Sequence, residues 1–70
     1  MFKKDVKFGD RFRTRDGRLA VYKEKNVDDY GYCYHYCMVE CEPEYIRYQE
    51  SGRICWGDTV KPLDIVSSEN

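Results

Sequence analysis

Arg11-Phe12-Arg13-Thr14-Arg15-Asp16-Gly17-Arg18-Leu19-Ala20-Val21-Tyr22-Lys23 is the stretch that decides the fold. Residues 11–15 alternate charged and uncharged side chains with period two, as a half-buried strand does. Asp16-Gly17 favours a two-residue turn in which both positions take positive φ. Residues 18–23 are rich in strand formers. Such a hairpin pairs Arg15 with Arg18, Thr14 with Leu19, Phe12 with Val21 and Arg11 with Tyr22. Its inward face is then Phe12, Thr14, Leu19 and Val21. Its outward face carries Arg11, Arg13, Arg15 and Arg18, with Ala20 and Tyr22 between them.

Outward from this hairpin the strand pattern continues. Residues 26–31 contain Asp28, Asp29 and Gly31 and read as a loop. Residues 32–40 form the longest strand candidate. Tyr32, Tyr34, Tyr36 and Met38 share one face; Cys33, His35, Cys37 and Val39 share the other. Both faces are fairly apolar, which suits a central strand covered in part on each side. Glu42-Pro43-Glu44 ends it. Residues 45–49 and 53–56 make a second hairpin around Glu50-Ser51-Gly52. A three-residue loop closed by a glycine bulge pairs Tyr48 with Ile54 and Ile46 with Trp56, and gathers those four on one face. Residues 63–66 are expected to close the fold as a short strand or turn, and 67–70 to fray. No helical periodicity exceeds a turn. The expected architecture is all-β, a small, strongly bent antiparallel sheet or barrel of five to six short strands.

Size and composition bound the function. Seventy residues make one domain, which buries only about 60% of its unfolded surface. A deep catalytic cleft is hard to build from so little material. Aromatic content of 16% argues against disorder. The first residues carry lysines without an apolar run behind them, and no stretch approaches a membrane span. Four cysteines in such a chain read as reduced thiols, so a cytoplasmic location is expected. Net charge is −1, split between +5 over residues 1–25 and −6 over 26–70. Basic and acidic strands pairing side by side account for that split most simply.

Phe8-Gly9-Asp10-Arg11-Phe12 followed by Thr14-Arg15-Asp16-Gly17-Arg18 resembles the opening of Src-homology-3-like small barrels of the KOW and Tudor kind. With the later Tyr48-x-x-x-Gly52-Arg53 and Leu63-Asp64-Ile65-Val66, it is similar to small uncharacterised proteins of phages and gut bacteria, over Phe8 to Val66. That resemblance implies a fold and a genomic setting, and no activity.

Three constellations could carry function. Cys33, His35 and Cys37, with Cys41 and Cys55, offer zinc's preferred donors. Residues two apart on a strand face lie about 6.5–7 Å apart, so Cys33 and Cys37 are about 13 Å apart. Neighbours can share an ion, but three in a row cannot close around one, so no metal and no cofactor are expected. Catalysis by a cysteine–histidine pair lacks an orienting third group, so enzyme activity is not expected either. Arg11, Arg13, Arg15 and Arg18 with Tyr22 could follow a phosphate backbone and stack a base, although the domain is net acidic. Tyr32, Tyr34 and Tyr36, flanked by Asp28, Asp29, Glu40 and Glu42, suit a basic peptide or protein. A protein-interaction module using these tyrosines is the leading expectation, and a nucleic-acid-binding barrel using the arginines is the alternative.

Overall fold

A computed structural model describes residues 2, 3, 5–55 and 61–69 of the chain. Among the described residues there are five strands: β1 Arg11–Thr14, β2 Leu19–Val27, β3 Cys33–Val39, β4 Ile46–Tyr48 and β5 Ile65–Ser68. They form one antiparallel sheet in the order β4-β3-β2-β1-β5. β1 to β4 are a simple meander, and β5 returns to the free side of β1. The sheet curls into a half-barrel. Bulges between Tyr22 and Glu24 and between Arg13 and Thr14 supply bends. The open side is stitched by Tyr48 pairing with Ile54 and by Ile65 N–H donating to the Gly52 carbonyl at 2.8 Å.

One turn is used three times. Thr14 N–H donates to Arg18, Asp28 N–H to Tyr32, and Gln49 N–H to Arg53, at 2.8–3.0 Å. In each case the fourth residue is a glycine whose N–H returns to the carbonyl of the first. Gly17, Gly31 and Gly52 take φ of 90°, 85° and 92°. This is the three-residue loop with a glycine bulge, a position that needs positive φ.

The expected second hairpin is therefore present, with Tyr48 opposite Ile54 and both buried; its Ile46–Trp56 pair lies outside the described residues. The first hairpin departs from expectation by one residue. Arg11 pairs with Val21, Phe12 with Ala20 and Arg13 with Leu19. A shift of one turns every side chain of the strand over. Phe12 and Thr14 face inward as expected, but Ala20 and Tyr22 join them, and Leu19 and Val21 are half-exposed on the outside. The gain is the burial of a whole tyrosine ring. Thr14 is satisfied locally, its hydroxyl accepting from Arg18 N–H at 2.9 Å. β5 also runs further than the sequence suggests. Ser67 and Ser68 pair with Arg13 and Phe12, and Glu69 N–H donates to the Arg11 carbonyl.

The core is aromatic. Phe2 sits at its centre, stacked on His35 at 4.5 Å and edge-on to Phe12 at 5.1 Å. Tyr22, Tyr48, Cys37, Val39, Ile54 and Ile65 complete it. Asp64 is buried beneath the stitched side, where Oδ1 accepts Ile54 N–H at 3.0 Å and Oδ2 accepts Lys61 N–H at 2.9 Å. Among the described residues no buried side-chain nitrogen or oxygen lacks a partner. Among the described residues no helix is long and apolar enough to cross a membrane.

Candidate functional site

β3 separates two environments. Its cysteine face points into the core: His35, Cys37 and Val39 are buried and Cys33 half-buried. Its tyrosine face points out, and the alternation of the strand sends Tyr32, Tyr34, Tyr36 and Met38 there together. Tyr32 is exposed, while Tyr34 and Tyr36 are half-buried by their neighbours.

Those neighbours fix the outer face. Asp28 Oδ1 accepts the backbone N–H groups of Tyr30 and Tyr32 at 2.9 and 3.0 Å, and Oδ2 accepts the Tyr34 hydroxyl at 3.2 Å. These bonds hold its carboxyl below the usual range despite some desolvation. Asp28 is thus the staple of the β2–β3 turn. Across the ladder Arg47 stands opposite Tyr36, and its guanidinium lies over the Tyr34 ring at 4.9 Å. Beyond β4, Tyr36, Glu42, Pro43, Glu44, Tyr45 and Arg47 line a shallow hollow. Tyr45 is exposed beside it, and Tyr30 is 87% exposed at the opposite end of the face.

The arginines lie outside the core, Arg13 and Arg18 in ion pairs, and Tyr22 does not join them. Arg13 donates to Glu69 at 3.0 Å and to the Gly17 carbonyl at 3.1 Å. Arg18 pairs with Asp16 at 3.0 Å and Glu42 at 2.8 Å. Arg11 and Arg15 are exposed. Tyr22 is buried, its hydroxyl 2.7 Å from His35 Nδ1, so it has no free ring face for a base. Of the four acidic residues expected to flank the tyrosines, Asp28 holds the turn, Glu42 holds Arg18, Glu40 accepts Leu19 N–H and Asp29 is exposed; Glu44, outside that set, is exposed beside the hollow.

Burial governs the titratable groups of the inner face. Desolvation pushes the Tyr22 hydroxyl and the Cys37 thiol up to about 12, and raises Tyr48 as well. It lowers His35, against an opposing pull from Glu50. The raised acids give stability that is complete below their ordinary values and is lost as pH rises toward 12. The depressed histidine gives stability that is present above its ordinary value and is lost as pH falls. The melting temperature should therefore be highest between about pH 6.5 and 8.5 and fall on both sides. A melting temperature unchanged up to pH 11 would contradict this burial.

Sequence reasoning missed two residues. Asp64 gave no local sign of its role. Glu50 stands near Cys33 and His35, and a visible sign existed: continuing the His35–Tyr48 pairing by two residues places Cys33 opposite Glu50. Comparison with family models, curated proteins and solved structures finds no match to this chain.

Proposed function

We propose that this domain is a non-enzymatic protein-interaction module that receives an extended basic peptide on the outer face of β3 and β4. The observation that carries the reading is the gathering of Tyr32, Tyr34 and Tyr36 on one strand face, extended by exposed Tyr30 and Tyr45. Tyrosine supplies rigid amphipathic contact area at small entropic cost. Exposed Glu44 rims the hollow beside Tyr36, next to Glu42 in its pair with Arg18, and this acidic rim favours a lysine- or arginine-bearing partner. The strand order, with β1 between β2 and the returning β5, supports a Src-homology-3-like small barrel. The resemblance read in the motifs of residues 8–66 is the basis for proposing a phage-derived accessory protein that binds a host component. Free thiols at Cys33, Cys37, Cys41 and Cys55 suit the cytoplasm. The non-enzymatic part rests on thiol chemistry: burial raises Cys33, Cys37 and Cys55, which weakens each as a nucleophile.

Tyr34→Ser tests the face. The change removes a ring under Arg47 and one exposed-side hydrogen bond, costing about 1–2 kcal/mol, so the protein stays folded. Binding of a synthetic lysine- and arginine-rich peptide, measured by calorimetry, should fall at least tenfold. A mixed-sequence oligonucleotide at low salt should show no comparable affinity. Steeply salt-dependent oligonucleotide binding, lost in Arg13→Ala with Arg15→Ala, would overturn the proposal in favour of the arginine face.

A further inference from the structure

The geometry points to a divalent metal site, suited to zinc, formed by Cys33 Sγ, His35 Nε2 and a Glu50 carboxylate oxygen. These three donors all lie within 4.8 Å of one another. Cys33 Sγ is 3.7 Å from His35 Nε2, which is 3.8 Å from Glu50 Oε1. The histidine–carboxylate spacing is too long for a hydrogen bond. Donors at 2.0–2.3 Å from a tetrahedral zinc are separated by about 3.3–3.6 Å, so a few tenths of an ångström closes the two gaps to His35, and a swing of about 1 Å by the exposed Glu50 side chain closes the third. Thiolate, imidazole and carboxylate together form a donor set that zinc accepts.

Cys33, His35 and Cys37 in a row on one strand cannot close around one ion, and the fold offers a different set. Cys37 is sealed in the core. The third donor comes instead from the turn after β4. The β3–β4 pairing ends at His35 opposite Tyr48, and the turn that follows brings the Glu50 carboxylate beside Cys33 and His35.

The imidazole is already oriented. Its Nδ1 meets the Tyr22 hydroxyl at 2.7 Å, which directs Nε2 toward Cys33 and Glu50. A ligating histidine usually anchors its other nitrogen in this way. Phe2 stacks on the ring, and Phe2 N–H also donates to the Glu50 carbonyl at 3.0 Å. One residue therefore positions both the imidazole and the turn that carries the carboxylate. Cys33 and Glu50 border a hollow also lined by Tyr32, Tyr34 and Gln49, so the fourth position opens to solvent and takes a water. On binding, the Cys33 thiol releases its proton to solvent, and His35 keeps its proton on Nδ1, donated to the Tyr22 hydroxyl oxygen, which leaves the Nε2 lone pair for the metal.

The test uses the full chain, reduced and freed of metal. Cobalt(II) serves as the spectroscopic probe, and zinc as its competitor. We expect one equivalent of cobalt to bind with a thiolate-to-metal charge-transfer band, and one equivalent of zinc to displace it. Cys33→Ser should abolish the band. Glu50→Gln, on an exposed carboxylate, should weaken affinity at least tenfold in a folded protein. Cys41→Ser should leave both unchanged. Zinc should also protect Cys33, but not Cys41, from alkylation, and raise the melting temperature as its concentration rises. Absence of one-to-one uptake by the wild type would overturn the site, and so would a band that survives in Cys33→Ser.

Discussion

Tyr48→Ala should remove about a third or more of the domain's stability. The ring is fully buried between Ile54 and the Phe2 cluster, and its hydroxyl donates to the Leu63 carbonyl at 2.7 Å. Truncating a buried aromatic costs about 3–5 kcal/mol. A chain of this length has a total stability of roughly 3.5–10 kcal/mol, so the change removes a third of it at least. Tyr48→Phe separates the two parts of the loss. It keeps the ring and removes the bond to Leu63, at about 1–2 kcal/mol, which lowers the melting temperature by roughly 4–16 °C. Circular dichroism melts of the pair measure this. A folded Tyr48→Ala with a near-native melting temperature would mean that the stitched side of the half-barrel does not depend on this ring.

Asp64→Ala ranks second. The carboxylate accepts from Ile54 N–H and Lys61 N–H, and the Asp64 carbonyl accepts from Arg15 N–H at 2.8 Å. One residue thus ties the turn after β4, the approach to β5 and the first hairpin. Removing the carboxylate leaves the buried Ile54 donor without an acceptor, a cost of about 1–3 kcal/mol, and frees the Lys61 donor toward solvent. The expected total is about 2–4 kcal/mol, with faster amide exchange at Ile54 and Lys61. Asp64→Asn should recover part of the loss, because an amide oxygen still accepts one of the two bonds.

The contrast between the hairpins explains what the sequence could reveal. At Glu50-Ser51-Gly52 only the three-residue loop gave a clean apolar face, so pattern alone selected the register. At Arg15-Asp16-Gly17 two registers each gave an acceptable inward face, Leu19 with Val21 or Ala20 with Tyr22. Asp-Gly favoured the wrong one. The choice is made in space, by the bond from Tyr22 to His35 and the contact of Tyr22 with Phe2. β3 behaves likewise. Its alternation was plain, but both faces are apolar enough to be core. The inward choice follows from partners distant in sequence, Phe2 and Tyr22 on His35. The tyrosine face was legible as a set of residues for this reason, while its exposure was not. Asp64 stayed invisible because a buried carboxylate bound to backbone donors has no local motif. Glu50 was hidden because the pairing of β3 with β4 had not been drawn.

Two features of the outer face depend on one another. Arg47 is a cation set among the tyrosines of β3, and its contacts with Tyr34 and Tyr36 hold those rings against the sheet. A basic partner must therefore approach from the Glu42 and Glu44 side or over the Tyr30–Tyr32 turn. That restriction is a specific consequence of the β3–β4 register.

The most direct test of the interaction surface is a titration of the labelled domain with the lysine- and arginine-rich peptide, followed residue by residue by NMR. The account predicts saturable shifts confined to Tyr30, Tyr32, Tyr34, Tyr36, Glu44, Tyr45 and Arg47, with Arg11, Arg13 and Arg15 unmoved. Shifts centred on Arg11, Arg13 and Arg15, or no saturable shift at any residue, would contradict it.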